Sequence, residues 1–159
     1  MEIKYRSLNQ DDAGRVARHR TAMFCDAGRR DPEHLREMEG HFETWVRPKI
    51  NEGSYFGTFA IDGKTVVGGI GAMILDWAPH PLHPTSAHRG YILNLYVQTA
   101  YRKRGIAAQL MSHVESRFKD RGVTYAFLHA TALARPIYET KGWMQTAELG
   151  KQYSLDAES

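Results

Sequence analysis

Cysteine is almost absent from this chain. Cys25 stands alone in 159 residues, so no intrachain disulfide is possible and the fold must rest on a packed core. Long apolar runs are missing too: nothing approaches the ~20 residues of a membrane span, and the polar start MEIKYRSLNQDD has no signal-peptide pattern. No membrane partner is expected, and a cytoplasmic location is. Charge of one sign is scarce, with 21 Lys and Arg against 18 Asp and Glu for a net +3, too small an excess to call for nucleic acid. The pI near 9.0 suits a small polyanionic ligand instead. No Ser-His-Asp order is recognisable, and Cys25 beside Asp26 lacks the cationic neighbour that activates a thiol. His80, His83 and His88 with Asp76 are broken up by prolines and present no regular ligand face, so no metal is expected. Linkers, repeats and low-complexity tracts are absent.

What remains is an ordinary globular composition, 42% hydrophobic and 25% charged, that fits one domain over residues 1–159. Residues 2–6 alternate as a short strand, and Asn9, Asp11 and Asp12 supply capping oxygens for a helix that turns Ala13, Val16, Ala17 and Met23 inward. Arg15, Arg18, His19 and Arg20 read as its solvated outer side. Gly28 closes this helix, and Asp31-Pro32 opens a second one carrying Leu35, Met38, Phe42 and Trp45 to the core and ending before Pro48. Asp62-Gly63 predicts a hairpin of strands 55–61 and 65–75. The glycines at 68, 69 and 71 lie inside its second strand, where they mark a bulge or a close backbone approach. Residues 76–90 form a long irregular connection.

The most informative stretch follows. Residues 91–97 read as a buried strand with Tyr91, Leu93, Leu95 and Val97 on one face and Ile92, Asn94 and Tyr96 on the other. A helix then begins at Ile106, with Leu110, Met111, Val114 and Phe118 on its apolar stripe. Between strand and helix lie Arg102, Lys103 and Arg104, then Gly105, then Ala107 and Ala108 after Ile106. A helix N-terminus presents unpaired N–H groups and partial positive charge, and small residues let an anion reach the backbone. The expected ligand is a phosphate or pyrophosphate. Beyond it come a strand over 123–130, a short helix over 131–141 closed by Gly142, a polar strand over 144–155 and a frayed tail.

Arg102-x-x-Gly105-x-Ala107, preceded by a strand ending Leu95-Tyr96-Val97 and by Tyr101, resembles the coenzyme A signature of the GNAT superfamily of acyl-CoA-dependent N-acetyltransferases. Downstream, the run from Ala134 through Tyr138, Glu139 and Gly142 to Trp143 resembles the family's closing segment. The resemblance implies an α/β (α+β mixed) fold: a central mixed, mostly antiparallel sheet with helices on both faces and a splayed motif strand. It implies acetyl-CoA as cosubstrate, held by the backbone of Leu95, Tyr96 and Val97 and by the turn of Arg102, Lys103, Arg104, Gly105, Ile106, Ala107 and Ala108. It also implies direct attack on the thioester by a primary amine of a small molecule, with Tyr138 as general acid. A non-catalytic acyl-CoA sensor and a protein N-acetyltransferase stand as alternatives, and a homodimer is compatible with the pattern. The amine is expected in a groove walled by residues 23–30, the helix bearing Phe42 and Trp45, and the 76–90 connection. Two positions depart from the family pattern: Asn94 stands where relatives often carry a carboxylate, and Thr131 where they usually carry asparagine. With no base at position 94, His129, Glu43, Asp76 and His88 are the candidates.

Overall fold

The computed structural model describes residues 2–155, and the expected tail beyond Leu155 lies outside them. Five strands form one sheet in the order β1-β2-β3-β4-β5: β1 Ile3–Ser7, β2 Tyr55–Asp62, β3 Thr65–Asp76, β4 His88–Val97 and β5 Ala126–Leu128. The first four are antiparallel neighbours, and β5 runs parallel to β4. Helices α1 (Ala13–Asp26) and α2 (Pro32–Glu52) cover one face. There Val16, Ala17, Phe42, Val46 and Ile50 meet Tyr55, Phe59 and Val66 of the sheet. Helices α3 (Ile106–Asp120) and α4 (Arg135–Thr140) close the other face, where Leu110, Met111, Val114, Phe118 and Tyr138 pack on Phe56, Val67, Ile70, Ile92 and Val97. Strands buried on both faces need apolar side chains in both directions, hence their nearly continuous hydrophobic runs.

Caps behave as their chemistry dictates. Asn9 and Asp12 form a reciprocal capping box at the short 3-10 turn before α1, and Arg6 clamps the Asp12 carboxylate at 2.7 Å. The Asp31 carboxylate accepts from the Glu33 and His34 amides at the start of α2. Contrary to the sequence expectation, α2 does not stop before Pro48 but continues to Glu52. A proline inside a helix loses one hydrogen bond and costs ~3 kcal/mol, yet here the following turn buries Ile50 in the core, which offsets that loss. The inward residues differ accordingly: Trp45 is 40% exposed, and Val46 and Ile50 take the place expected of it.

Strand β4 departs from simple alternation, and this positions the site. Gly71 pairs with Leu93 and Gly69 with Tyr96, so Asn94 and Leu95 together oppose the single residue Ile70. That is a β-bulge, and Asn94 takes a left-handed φ of 60° within it. The expected common face of Tyr91, Leu93, Leu95 and Val97 is therefore broken: Leu93 packs toward α1 and α2, whereas Ile92, Leu95 and Val97 join the core under α3. Beyond Ile92 the β5-facing edge of β4 has no strand partner among the described residues, because β5 pairs only with residues 90–92.

The C-terminal region is less regular than its sequence predicts. The strand expected over 123–130 is reduced to Ala126–Leu128, and the helix over 131–141 to Arg135–Thr140. Residues 144–155 form no strand. Met144, Leu149 and Leu155 are 85%, 99% and 98% exposed, so no buried face exists there to fix a register. The irregular connection is confined to 77–87, since Asp76 ends β3 and His88 opens β4.

Candidate active site

The turn after β4 is built by its own backbone. Residues Thr99–Tyr101 make a short 3-10 turn, Lys103 adopts φ 62°, and Gly105 adopts φ 80° as N-cap of α3. Glycine holds that left-handed value without the strain it imposes on most side chains, and nothing lies within 4 Å of the position a Cβ would occupy. The first helical bond runs from the Gln109 amide to the Gly105 carbonyl at 3.1 Å. The amides of residues 106–108 thus stand outside the helical ladder and face the turn.

Charge in the turn is divided. The Arg102 Nε donates to the Val97 carbonyl at 2.8 Å, and its guanidinium forms an ion pair with Asp26. Arg102 thereby locks the turn to both β4 and α1. Arg104 lies over the Tyr101 ring at 5.3 Å, and the Tyr101 hydroxyl donates to Asp62 at 2.8 Å, tethering the turn to the β2–β3 hairpin. Lys103 is exposed.

A cleft of about 500 Å³ opens between the free edge of β4 and α4. Its walls include Leu95, Tyr96, Val97, Arg102, Lys103, Gly105, Ile106, Ala107 and Ala108, with Met23 and Asp26 of α1 and Ala134, Pro136, Ile137 and Thr140 at α4. Nine of the ten positions assigned from the sequence to the cosubstrate thus share one cleft, and Arg104 lies outside its lining. Thr131 accepts from the Ala134 amide at 3.3 Å, so it caps the turn leading into α4.

At the end of the cleft away from the turn, the bulge meets α1. The Arg20 guanidinium donates to the Asn94 side-chain carbonyl at 2.7 Å, and the Asn94 amide donates to the Tyr55 hydroxyl at 2.9 Å. Burial pulls Arg20 below its ordinary pKa and pushes the Tyr55 phenol well above its own. His19 is 7% exposed, with its ring 5.1 Å from that of Tyr96. Burial, then the charges of Arg15 and Arg18, pull its pKa down to about 4, so it is neutral at pH 7. The reading of His19 and Arg20 as solvated is therefore wrong. Their spacing carried the signal: Val16, Ala17, Arg20 and Phe24 fall on one helical stripe, and an arginine on that stripe must lie against the sheet.

Beside the bulge, a second polar chain joins β4 to the C-terminal segment. The Tyr91 hydroxyl is 2.7 Å from His129 Nδ1, and His129 Nε2 pairs with Glu148. Burial pushes the Tyr91 phenol up, while the Arg20 charge opposes that shift. Sequence reasoning included His129 but missed Tyr91 and Glu148, which lie 38 residues before it and 19 after it; the β4–β5 pairing brings Tyr91 beside His129, and Glu148 reaches them from the C-terminal segment. Of the other base candidates, Glu43 is paired with Arg47 at 2.6 Å, Asp76 is exposed at the end of β3, and His88 opens β4 with a buried Nε2 lacking a hydrogen-bond partner among the described residues.

Tyr138 is 6% exposed, its ring edge-on to Trp143 at 6.0 Å. It lines a neighbouring groove with Tyr125, Phe127, Leu128 and His129 rather than the cleft, and burial pushes its phenol well above the ordinary value. In the 77–87 connection, His83 is buried, accepts from Arg89 Nε at 2.8 Å, and has its Nδ1 3.0 Å from the Ser86 carbonyl. That connection folds back on the β5 side, with Trp77 edge-on to Phe127 at 5.2 Å and Leu82 at the mouth of the groove. No group of three or more His, Cys, Asp or Glu poised for a metal occurs among the described residues.

The acetyltransferase (GNAT) family profile matches residues 19–143, which include the bulged strand, the glycine turn and the cleft between them. The chain belongs to the GNAT family of acetyltransferases. A GCN5-related N-acetyltransferase from Ralstonia eutropha superposes with TM-score 0.92 at 44% identity, over 96% of this chain and 99% of the other. The GNAT fold is shared further by a predicted acetyltransferase from Clostridium acetobutylicum solved with acetyl-CoA (TM-score 0.86, 20% identity, 96% of each chain). It is also shared by an aminoglycoside acetyltransferase from an uncultured soil metagenomic sample (TM-score 0.72, 19% identity, 97% of this chain and 100% of that one). No curated protein matches this GNAT chain.

Proposed function

We propose that the protein transfers the acetyl group of acetyl-CoA to the primary amine of a small molecule by direct attack in a ternary complex. The observation that carries this reading is the cleft itself, whose one wall is an unpaired strand edge and whose one end is a helix N-terminus with a left-handed glycine. The pyrophosphate of the cosubstrate fits the amides of residues 106–108 with Lys103 and Arg104 nearby. The open backbone of Leu95, Tyr96 and Val97 suits an extended pantetheine arm, as a peptide-like chain adding to a free strand edge. A backbone N–H aimed at the thioester oxygen stabilises the charge that develops there by a few kcal/mol. The cosubstrate supplies only an activated acyl group.

In the chemical step the amine nitrogen bonds to the thioester carbon, the C–S bond breaks, one proton leaves the nitrogen and one is needed by the departing sulfur. Tyr91, backed by His129 and Glu148, is the proposed route for the first proton, since the imidazole can accept through the phenol while the carboxylate holds it. Tyr138 is the proposed donor to sulfur. Its ring is buried in the core and lines the neighbouring groove rather than the cleft, so this role requires the hydroxyl to reach the sulfur when acetyl-CoA is bound. A phenol with so high a pKa stabilises a thiolate by hydrogen bonding more readily than by full transfer.

Thiol release from acetyl-CoA with a panel of small amines, amino acids, polyamines, aminoglycosides and peptides tests the assignment. Turnover with at least one small amine, and none with the peptides, is expected. Tight coenzyme A binding without thiol release would make the protein a sensor, and release with peptides alone would make it a protein acetyltransferase.

A further inference from the structure

Arg20 is a half-buried cation without a counter-charge. Among the described residues no carboxylate lies within 4.0 Å of it. One terminal nitrogen is used by the Asn94 side chain at 2.7 Å, its guanidinium lies over the rings of Phe24 and Phe42 at 5.0 and 4.9 Å, and its Nε is buried with no partner. The other titratable groups that act on it are the phenols of Tyr55 and Tyr91, neutral at pH 7. Removing a guanidinium from water with a donor unused is costly, and folded proteins tolerate this where a ligand completes the set. The position agrees: Met23, one turn along α1, and Leu95, the residue after Asn94, both line the cosubstrate cleft. Arg20 and Asn94 do not line the cleft themselves, but they lie directly behind two residues that do.

We propose that Arg20 is the anchor for a carboxylate on the acceptor, so that the substrate is an amine that also carries an acid group. This rests on the small-amine reading above and narrows it. A single guanidinium with one unused edge balances one negative charge, which favours a carboxylate over a doubly charged phosphate. It also disfavours polycationic acceptors, because a bare arginine at the site repels them. Arg20 is a specificity residue in this account and takes no part in proton transfer.

The test reads Arg20 directly. In ¹⁵N-labelled protein with coenzyme A present, the Arg20 Nε–H resonance is identified as the one missing from the Arg20→Lys variant. It is followed while amino acids with two to six carbons between nitrogen and carboxylate, the matched amines lacking the carboxylate, and inorganic phosphate are added. At least one amino acid should shift it saturably, and the matched amines should not. In the acetyl-CoA assay, that amino acid should exceed its matched amine in kcat/KM by about 10²-fold, and Arg20→Gln should reduce the preference to within about threefold without altering the KM for acetyl-CoA. Arg20→Lys, which keeps the charge, should retain part of the preference and covers the case in which the glutamine variant does not fold. A shift caused equally by the amines, a stronger response to phosphate, or no response to any carboxylate would overturn the proposal. Saturable shifts by carboxylates without thiol release for any acceptor would leave the anchor standing and remove the small-amine reaction. Acetylation without carboxylate preference would do the reverse.

Discussion

Gly71→Ala should destabilise the protein by about 3 kcal/mol. A Cβ at this position would stand 1.9 Å from the Tyr55 hydroxyl oxygen and 2.3 Å from its Cζ. Tyr55 is 1% exposed and packed edge-on against Phe42 and Trp45, so its ring has nowhere to retreat. Moving it breaks its bond with Asn94 and frees the residue on which the bulge and Arg20 depend. The effect should therefore reach function: acceptor KM should rise in whatever protein remains folded, while coenzyme A, proposed to lie at the other end of the cleft, should bind nearly as before. Removing the hydroxyl as well, in Gly71→Ala with Tyr55→Phe, should rescue little, because the ring carbon is still too close. Urea unfolding of the three proteins decides the matter. A loss below about 0.5 kcal/mol for Gly71→Ala would mean that the ring accommodates the methyl group and that the tight packing behind the bulge is not structural.

Tyr138→Phe should lower kcat by about 10²-fold with little change in the KM for acetyl-CoA, the pattern of an interaction made only in the transition state. The substitution keeps the ring against Trp143 and in the core under α3, so stability should stay within about 1 kcal/mol of the parent. Equal turnover in the two proteins would confine Tyr138 to packing, consistent with its place outside the cleft, and would leave sulfur protonation to solvent.

The two halves of the site differ in how far the sequence discloses them. The turn is legible because its parts are adjacent: a strand, a run of cations, a glycine and a helix stripe follow one another between residues 91 and 118, and local rules for helix starts predict an anion site there. The proposed acceptor end is assembled from α1, β2, β4 and the segments after β5, and no local rule joins Arg20, Tyr55, Asn94, Tyr91, His129 and Glu148. Periodicity alone does not place the bulge, since a period of two fits residues 91–97 as well as the true pattern does until the partner strand is known. The glycines of β3 and the splayed motif strand that the family resemblance implies both point to it. The extent of α2 was misread for a similar reason: proline rules are local, whereas the burial of Ile50 that overrides them is tertiary. Residues 144–155 show the opposite error, a polar strand expected where the described structure has no strand and leaves Met144, Leu149 and Leu155 exposed.

Calorimetric titration of coenzyme A into the parent, Gly105→Asn and Gly105→Val most directly tests whether the cosubstrate lies on this turn. Asparagine tolerates the left-handed φ of 80°, so it adds bulk with little strain, whereas valine adds bulk and loses the conformation. Nothing of the protein lies within 4 Å of the new Cβ and Gly105 lines the cleft, so both side chains are expected to crowd the space assigned to the pyrophosphate without clashing with the protein. The account predicts a Kd raised about 10-fold for asparagine and about 10²-fold or more for valine, with all three proteins folded. Equal affinity in the three would place coenzyme A elsewhere and contradict the assignment of the cleft.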